Sequence, residues 1–110
     1  MYEFSTSSHQ TLRLWVDERG ITFGYPGSHA RCGRDLLVAQ CWASIRALLA
    51  KLSNGQRYYS LNAALSIWKR EDKLHIKFYA LDRPFEETLT FSGGAAEKIL
   101  CMLHNLPNLN

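Results

Sequence analysis

Nine consecutive residues, Gly27-Ser28-His29-Ala30-Arg31-Cys32-Gly33-Arg34-Asp35, gather the side chains with the most chemistry to offer. A thiolate is the attacking species in cysteine catalysis, and a nearby imidazole can take the proton or stabilise the charge, so His29 with Cys32 has the makings of a nucleophile and its base. A helix starting after Asp35 would add unpaired amides and the positive end of its dipole, both of which favour a thiolate or a bound anion. Arg31 and Arg34 flank that end and suit a phosphate or an acidic peptide. A further thiol, Cys41, follows within the first helical turns. The candidate catalytic residues are therefore His29, Cys32 and Cys41, and Arg31 and Arg34 are candidate binding residues.

Each has a plainer explanation. His29 suits a turn histidine bonded to backbone, and Asp35 suits an N-cap whose carboxylate accepts a first-turn amide. Cys41 lies among Val38, Trp42 and Ile45, where a small thiol usually packs into a core. Cys101 sits beside Leu100 and Met102, and His75 and His104 occupy solvent-facing positions. A metal held by His29, Cys32 and Cys41 would lack the fourth ligand of a structural zinc, and the spacing matches no zinc knuckle. No metal and no cofactor are expected.

The elements that must position these residues read as follows. Leu12, Leu14 and Val16 alternate with polar or aromatic neighbours, Asp17 to Gly20 carries turn chemistry, and Ile21, Phe23 and Tyr25 resume the alternation. Residues 11–26 thus read as a β-hairpin, with the first ten an edge strand or frayed. From Asp35 the apolar spacing becomes helical through Leu37, Cys41, Ile45, Leu48 and Leu52, which predicts a helix over 36–52 ended at Ser53-Asn54-Gly55. Leu61, Ala63, Leu65 and Ile67, then Leu74, Ile76, Phe78 and Ala80, alternate with their neighbours as two strands joined by Lys69 to Asp72. A short strand at 87–91 and a second helix from Ser92 complete the chain, with Pro107 ending that helix. The expected fold class is α+β: antiparallel sheet with two helices in the order β-β-α-β-β-(β)-α, one domain over 1–110, and no internal repeat.

A hairpin, a turn with Gly27, His29 and Ala30, then Gly33, Asp35 and Ala39 before an amphipathic helix resembles the ribosomal-processing cysteine protease family (Prp-like). That resemblance implies a bacterial or phage source. It also implies an activity that trims a short N-terminal extension from a large-subunit ribosomal protein, using the turn histidine and a cysteine in the helix's first turn. Aligned on Asp35, this chain places Val38 where that cysteine belongs, so catalysis is either lost or moved to Cys32 or Cys41.

Composition narrows the field. The chain has 110 residues, 46% hydrophobic and 21% charged, with net charge +3, which is ordinary for one folded domain. Its three cysteines fit free thiols rather than a disulfide framework. The longest apolar stretch, 36–52, is broken by Gln40, Ser44, Arg46 and Lys51, so no membrane span is expected. Nor is a secretory signal, and the cytoplasm is the expected address. Trp15 and Trp68 stand on strand faces opposite the aliphatic residues, where exposed aromatics serve as interface anchors, and both are candidate binding residues. A protein partner is the leading expectation, with nucleic acid and a homodimer also open. Three functions remain: a binding protein on a protease-like fold, a working cysteine peptidase, or a small phage or mobile-element inhibitor.

Overall fold

A computed structural model of the chain describes residues 1–26, 36–81 and 85–106. The strands are β1 (Tyr2–Ser5), β2 (Thr11–Val16), β3 (Gly20–Tyr25), β4 (Leu36–Cys41), β5 (Tyr58–Tyr59), β6 (Leu65–Arg70), β7 (Lys73–Ala80) and β8 (Phe85–Ser92). Helix α1 (Trp42–Ser53) follows β4 directly, and α2 (Gly93–Asn105) follows β8 directly. The fold is α+β, with two antiparallel sheets ordered β1-β2-β3-β4 and β5-β6-β7-β8. The hairpin expected over 11–26 is β2–β3, and the first residues do form an edge strand.

The predicted helix over 36–52 is corrected. Its first six residues are a strand paired to β3, and the helix begins only at Trp42. Leu36, Val38 and Gln40 face inward while Leu37, Ala39 and Cys41 face out, so the period there is two. A short apolar run of this kind satisfies both periods. Gln40 disguised the strand further, being a polar side chain on the buried face. Its Oε1 accepts from the Tyr58 hydroxyl and its Nε2 donates to the Ala39 carbonyl at 2.6 Å, so burial leaves its amide partnered.

The expectation of no internal repeat is also corrected at the level of topology. The string of four strands and a helix occurs twice, in matching register. Trp15 faces Thr22 as Trp68 faces His75, and Leu14 faces Phe23 as Ile67 faces Ile76. Ile45 and Leu48 of α1 stand where Ala96 and Ile99 stand in α2, counted from each helix start. The correspondence is kept by buried apolar positions rather than by identity, which is why reading along the chain does not reveal it.

One hydrophobic cluster draws on both sheets and both helices, including Leu14, Phe23, Ile45, Leu48, Ile67, Phe78, Ile99 and Leu103. Helix α1 packs on β3 to β6 and so bridges the sheets, while α2 lies on β7 and β8. Burying a side chain of this size stabilises the fold by about 1.5–3 kcal/mol. Polar ties join the two units as well: Gln10 Nε2 donates to Glu87 Oε1 at 2.6 Å. Gly20 is required where β3 meets the end of β4, because a Cβ there would lie 1.9 Å from the Gln40 carbonyl oxygen. Among the described residues no helix is long and apolar enough to cross a membrane.

Candidate functional site

With the inner faces committed to one core, the chemistry left to the sheets is on their outer faces. Strand register arranges the outer face of the second sheet in rows. Tyr59, Ser66, Lys77 and Thr88 form one row, Trp68, His75 and Thr90 the next, and Arg70, Lys73 and Ser92 a third. Tyr79 sits opposite Glu86 on the other side of the first row. Arg57, one residue before β5, reaches into the middle of this surface.

The centre is a stack. The guanidinium carbon of Arg57 lies 3.7 Å from the Trp68 ring centroid and 5.1 Å from that of Tyr59. The other partner of Trp68 is His75, whose ring stacks at 5.1 Å between centroids with 20° between planes. The Arg57 terminal nitrogen donates to Ser66 Oγ at 2.8 Å, fixing the fork in place, while its Nε is buried without a partner among the described residues. Each cation–π contact contributes about 0.5–2 kcal/mol, depending on desolvation. His75 Nδ1 lies 2.9 Å from Thr90 Oγ1. Burial pushes the His75 imidazole below its ordinary value, and the charges of Lys73, Arg70 and Arg57 add to the shift.

Charge on this face is one-sided. Arg57, Arg70, Lys73 and Lys77 face out with one strand carboxylate, Glu86, which pairs with Lys77 at 3.2 Å. Glu71 and Asp72 stand in the turn at the end of the sheet. Among the described residues neither Arg70 nor Lys73 pairs with a carboxylate. Beside the stack, small Ser66 leaves a depression of about 210 Å³ lined by Arg57, Tyr59, Ala63, Ser66, Lys77 and Tyr79.

The candidates named from sequence are distributed as follows. Trp68 is in this site. Trp15 is on the corresponding face of the first sheet, lying over Gly24, where a Cβ would come 2.3 Å from its ring. His29, Arg31, Cys32 and Arg34 lie outside the described residues, as does Asp35. Cys41 is corrected from a packed core position to an exposed one. It is the N-cap of α1, with its Sγ 3.3 Å from Ser44 Oγ. The Ser44 hydroxyl and nearby backbone amides hold its thiol below the ordinary value. Val38 is half-buried on β4 rather than in a helix. Arg57, Arg70, Lys73 and Lys77 were not singled out from sequence, and His75 was read there only as solvent-facing. The signal was present in the strict alternation of β7, where Lys73, His75, Lys77 and Tyr79 fall on one face.

No family model matches this chain, and neither the curated proteins nor the solved structures contain a match to it.

A depression of about 440 Å³ between β1 and α2 has an almost wholly apolar surface, with Glu3, Lys98, Cys101 and Asn105 among its lining residues. The outer face of the second sheet is different in kind. It offers cations for phosphates and, in Tyr59 and Tyr79, exposed aromatic side chains for planar groups. That pairing is how sheet surfaces take unpaired nucleotides.

Proposed function

We propose that this protein binds nucleic acid, laying a single strand across the outer face of its second sheet, and that it does so in the cytoplasm without catalysing a reaction. The observation that carries this reading is the Arg57–Trp68–His75 stack set between rows of cations. An acidic protein would satisfy Arg70 and Lys73 equally well, but would make no use of the exposed Tyr59 and Tyr79 rings beside them. A duplex satisfies the cations but keeps its bases stacked away from the sheet. The exposed thiols of Cys41 and Cys101 fit a reducing compartment.

The test is fluorescence anisotropy with a labelled single strand, the matching duplex and an acidic peptide at two salt concentrations. The expected result is tightest binding to the single strand, weakening with salt at roughly 0.7 log units per phosphate contact. Binding to the peptide alone would replace this reading with a protein partner.

A second reading rests on Cys41. An exposed thiol held at a helix start with a lowered pKa is where a displaced nucleophile would sit, and the resemblance to the ribosomal-processing cysteine proteases belongs with this reading. Peptide hydrolysis that disappears in Cys41→Ala would support it. Alkylation of Cys41 at the rate of an ordinary thiol would count against it.

A further inference from the structure

We infer that the depression beside the Arg57 stack is a seat for one unpaired nucleobase, walled by Tyr59 and Tyr79. This rests on the reading of the second sheet as a nucleic-acid surface and assigns to one place on it the recognition of a base rather than of the backbone.

The register creates the hollow. Tyr59 and Lys77 are long residues on either side of Ser66 in one row, and Ser66 is too short to fill the gap between them. Arg57, packed on Trp68, lines the hollow, as does Tyr79, two residues along β7 from Lys77. Both tyrosines are exposed, Tyr59 at 57% and Tyr79 at 44%, and the Arg57 guanidinium lies over the Tyr59 ring at 5.1 Å. The hydrogen bond from Arg57 to Ser66 keeps the floor rigid and holds one cation at the rim, with Lys77 as the other.

A planar base fits these demands. It would stack on a tyrosine ring, and its own phosphate would reach Arg57 or Lys77. Stacking on an aromatic side chain is tolerant of base identity, because every base has a π-face. The seat therefore selects single strands over duplexes without selecting sequence. A strand lacking its bases would keep the phosphate contacts and lose this one.

The experiment compares wild-type protein and Tyr59→Leu/Tyr79→Leu on two ligands: an oligothymidylate of about eight nucleotides, within the usual site size, and an abasic strand of equal length. Leucine keeps apolar bulk without a π-face, and urea unfolding checks that the variant is folded. The expected result is that wild type binds the abasic strand roughly 5- to 150-fold more weakly, the range for one stacked base. In the variant most of that preference disappears while abasic binding is unchanged. Equal binding of both strands by wild type overturns the seat and leaves the nucleic-acid reading standing. A preference that survives in the variant overturns it too, placing base recognition elsewhere on the sheet. If neither strand binds wild type, the underlying reading falls and the seat with it.

Discussion

The two sheets are built on one plan and turn different faces to solvent. Leu14, Trp15, Ile21 and Phe23 of the first stand where Ile67, Trp68, Leu74 and Ile76 stand in the second, so the cores are interchangeable in kind. Their outer faces are not. In the first, Glu3 is bonded to Arg13 at 2.9 Å and Gly24 yields its space to Trp15. The corresponding places in the second are Tyr59, Ser66 and Lys77, and the turn-flanking Asp17 and Gly20 correspond to Arg70 and Lys73. The same strand positions that are neutralised or emptied in one unit carry an aromatic ring, Tyr59, and the cations Arg70, Lys73 and Lys77 in the other. An inward pattern fixes a fold, whereas the outward residues are free to specialise.

The comparison breaks most sharply where the second face loses its charge. Arg70→Glu/Lys73→Glu is expected to weaken single-strand binding on the order of 100-fold at low salt. It should also flatten the salt slope by about 1.4, at roughly 0.7 per lost phosphate contact. Both side chains are exposed, so the urea midpoint should hold. The paired tryptophans come next. Trp68→Ala removes the platform under Arg57 and His75 and should cost about tenfold in affinity, the scale of one lost stacking contact. Trp15→Ala should leave affinity unchanged and lower only the unfolding free energy, and anisotropy with urea titration separates the two.

Transplanting one residue sharpens the contrast. Gly24→Lys puts into the first sheet the residue that the second carries, but its Cβ collides with the Trp15 ring. We expect a loss of about 1–2 kcal/mol in urea unfolding, a red-shifted tryptophan emission and no gain in binding.

The smallest effect is on pH. Around His75 stand Trp68 and Arg70 from β6, Lys73 and Lys77 from β7, Thr90 from β8, and Arg57, and among the described residues the charges that act on it, those of Lys73, Arg70 and Arg57, are positive. The folded protein resists protonating His75, and below the unperturbed pKa of about 6.5 the unfolded chain takes up the proton more readily. This group's contribution to stability is present above that pH and lost as pH falls through the folded value. Bound phosphates act in the opposite direction by favouring the imidazolium, so affinity should rise about threefold on acidification. His75→Gln should abolish both trends, read by urea titration and anisotropy across pH.

How much of this was legible depended on period. The alternation in β2, β3 and β7 was plain, because buried and exposed residues differ there in kind, and so was α2, whereas the alternation from Leu61 overran β6, which begins at Leu65 and leaves Leu61 exposed in the turn before it. The β4–α1 junction was not plain, since Leu36 to Cys41 is apolar on both faces and Gln40 is a buried polar residue whose partner, Tyr58, is remote in sequence. The duplication was hidden because packing conserves size and side, so Phe23 answers to Ile76 and Ile45 to Ala96. Trp68 could be picked out as an aromatic on the wrong face. Its partnership with Arg57 and His75 could not, because it depends on which strands are neighbours.

The central claim is that the second sheet's outer face is the binding surface. It is tested most directly by following backbone amide chemical shifts while an unlabelled oligothymidylate is titrated into isotope-labelled protein. The account predicts shifts concentrated at Tyr59, Trp68, Arg70, Lys73, His75 and Lys77, with the strands of the first sheet quiet. Shifts centred on Trp15, Leu37 and Cys41 instead, or none anywhere at low salt, would contradict it.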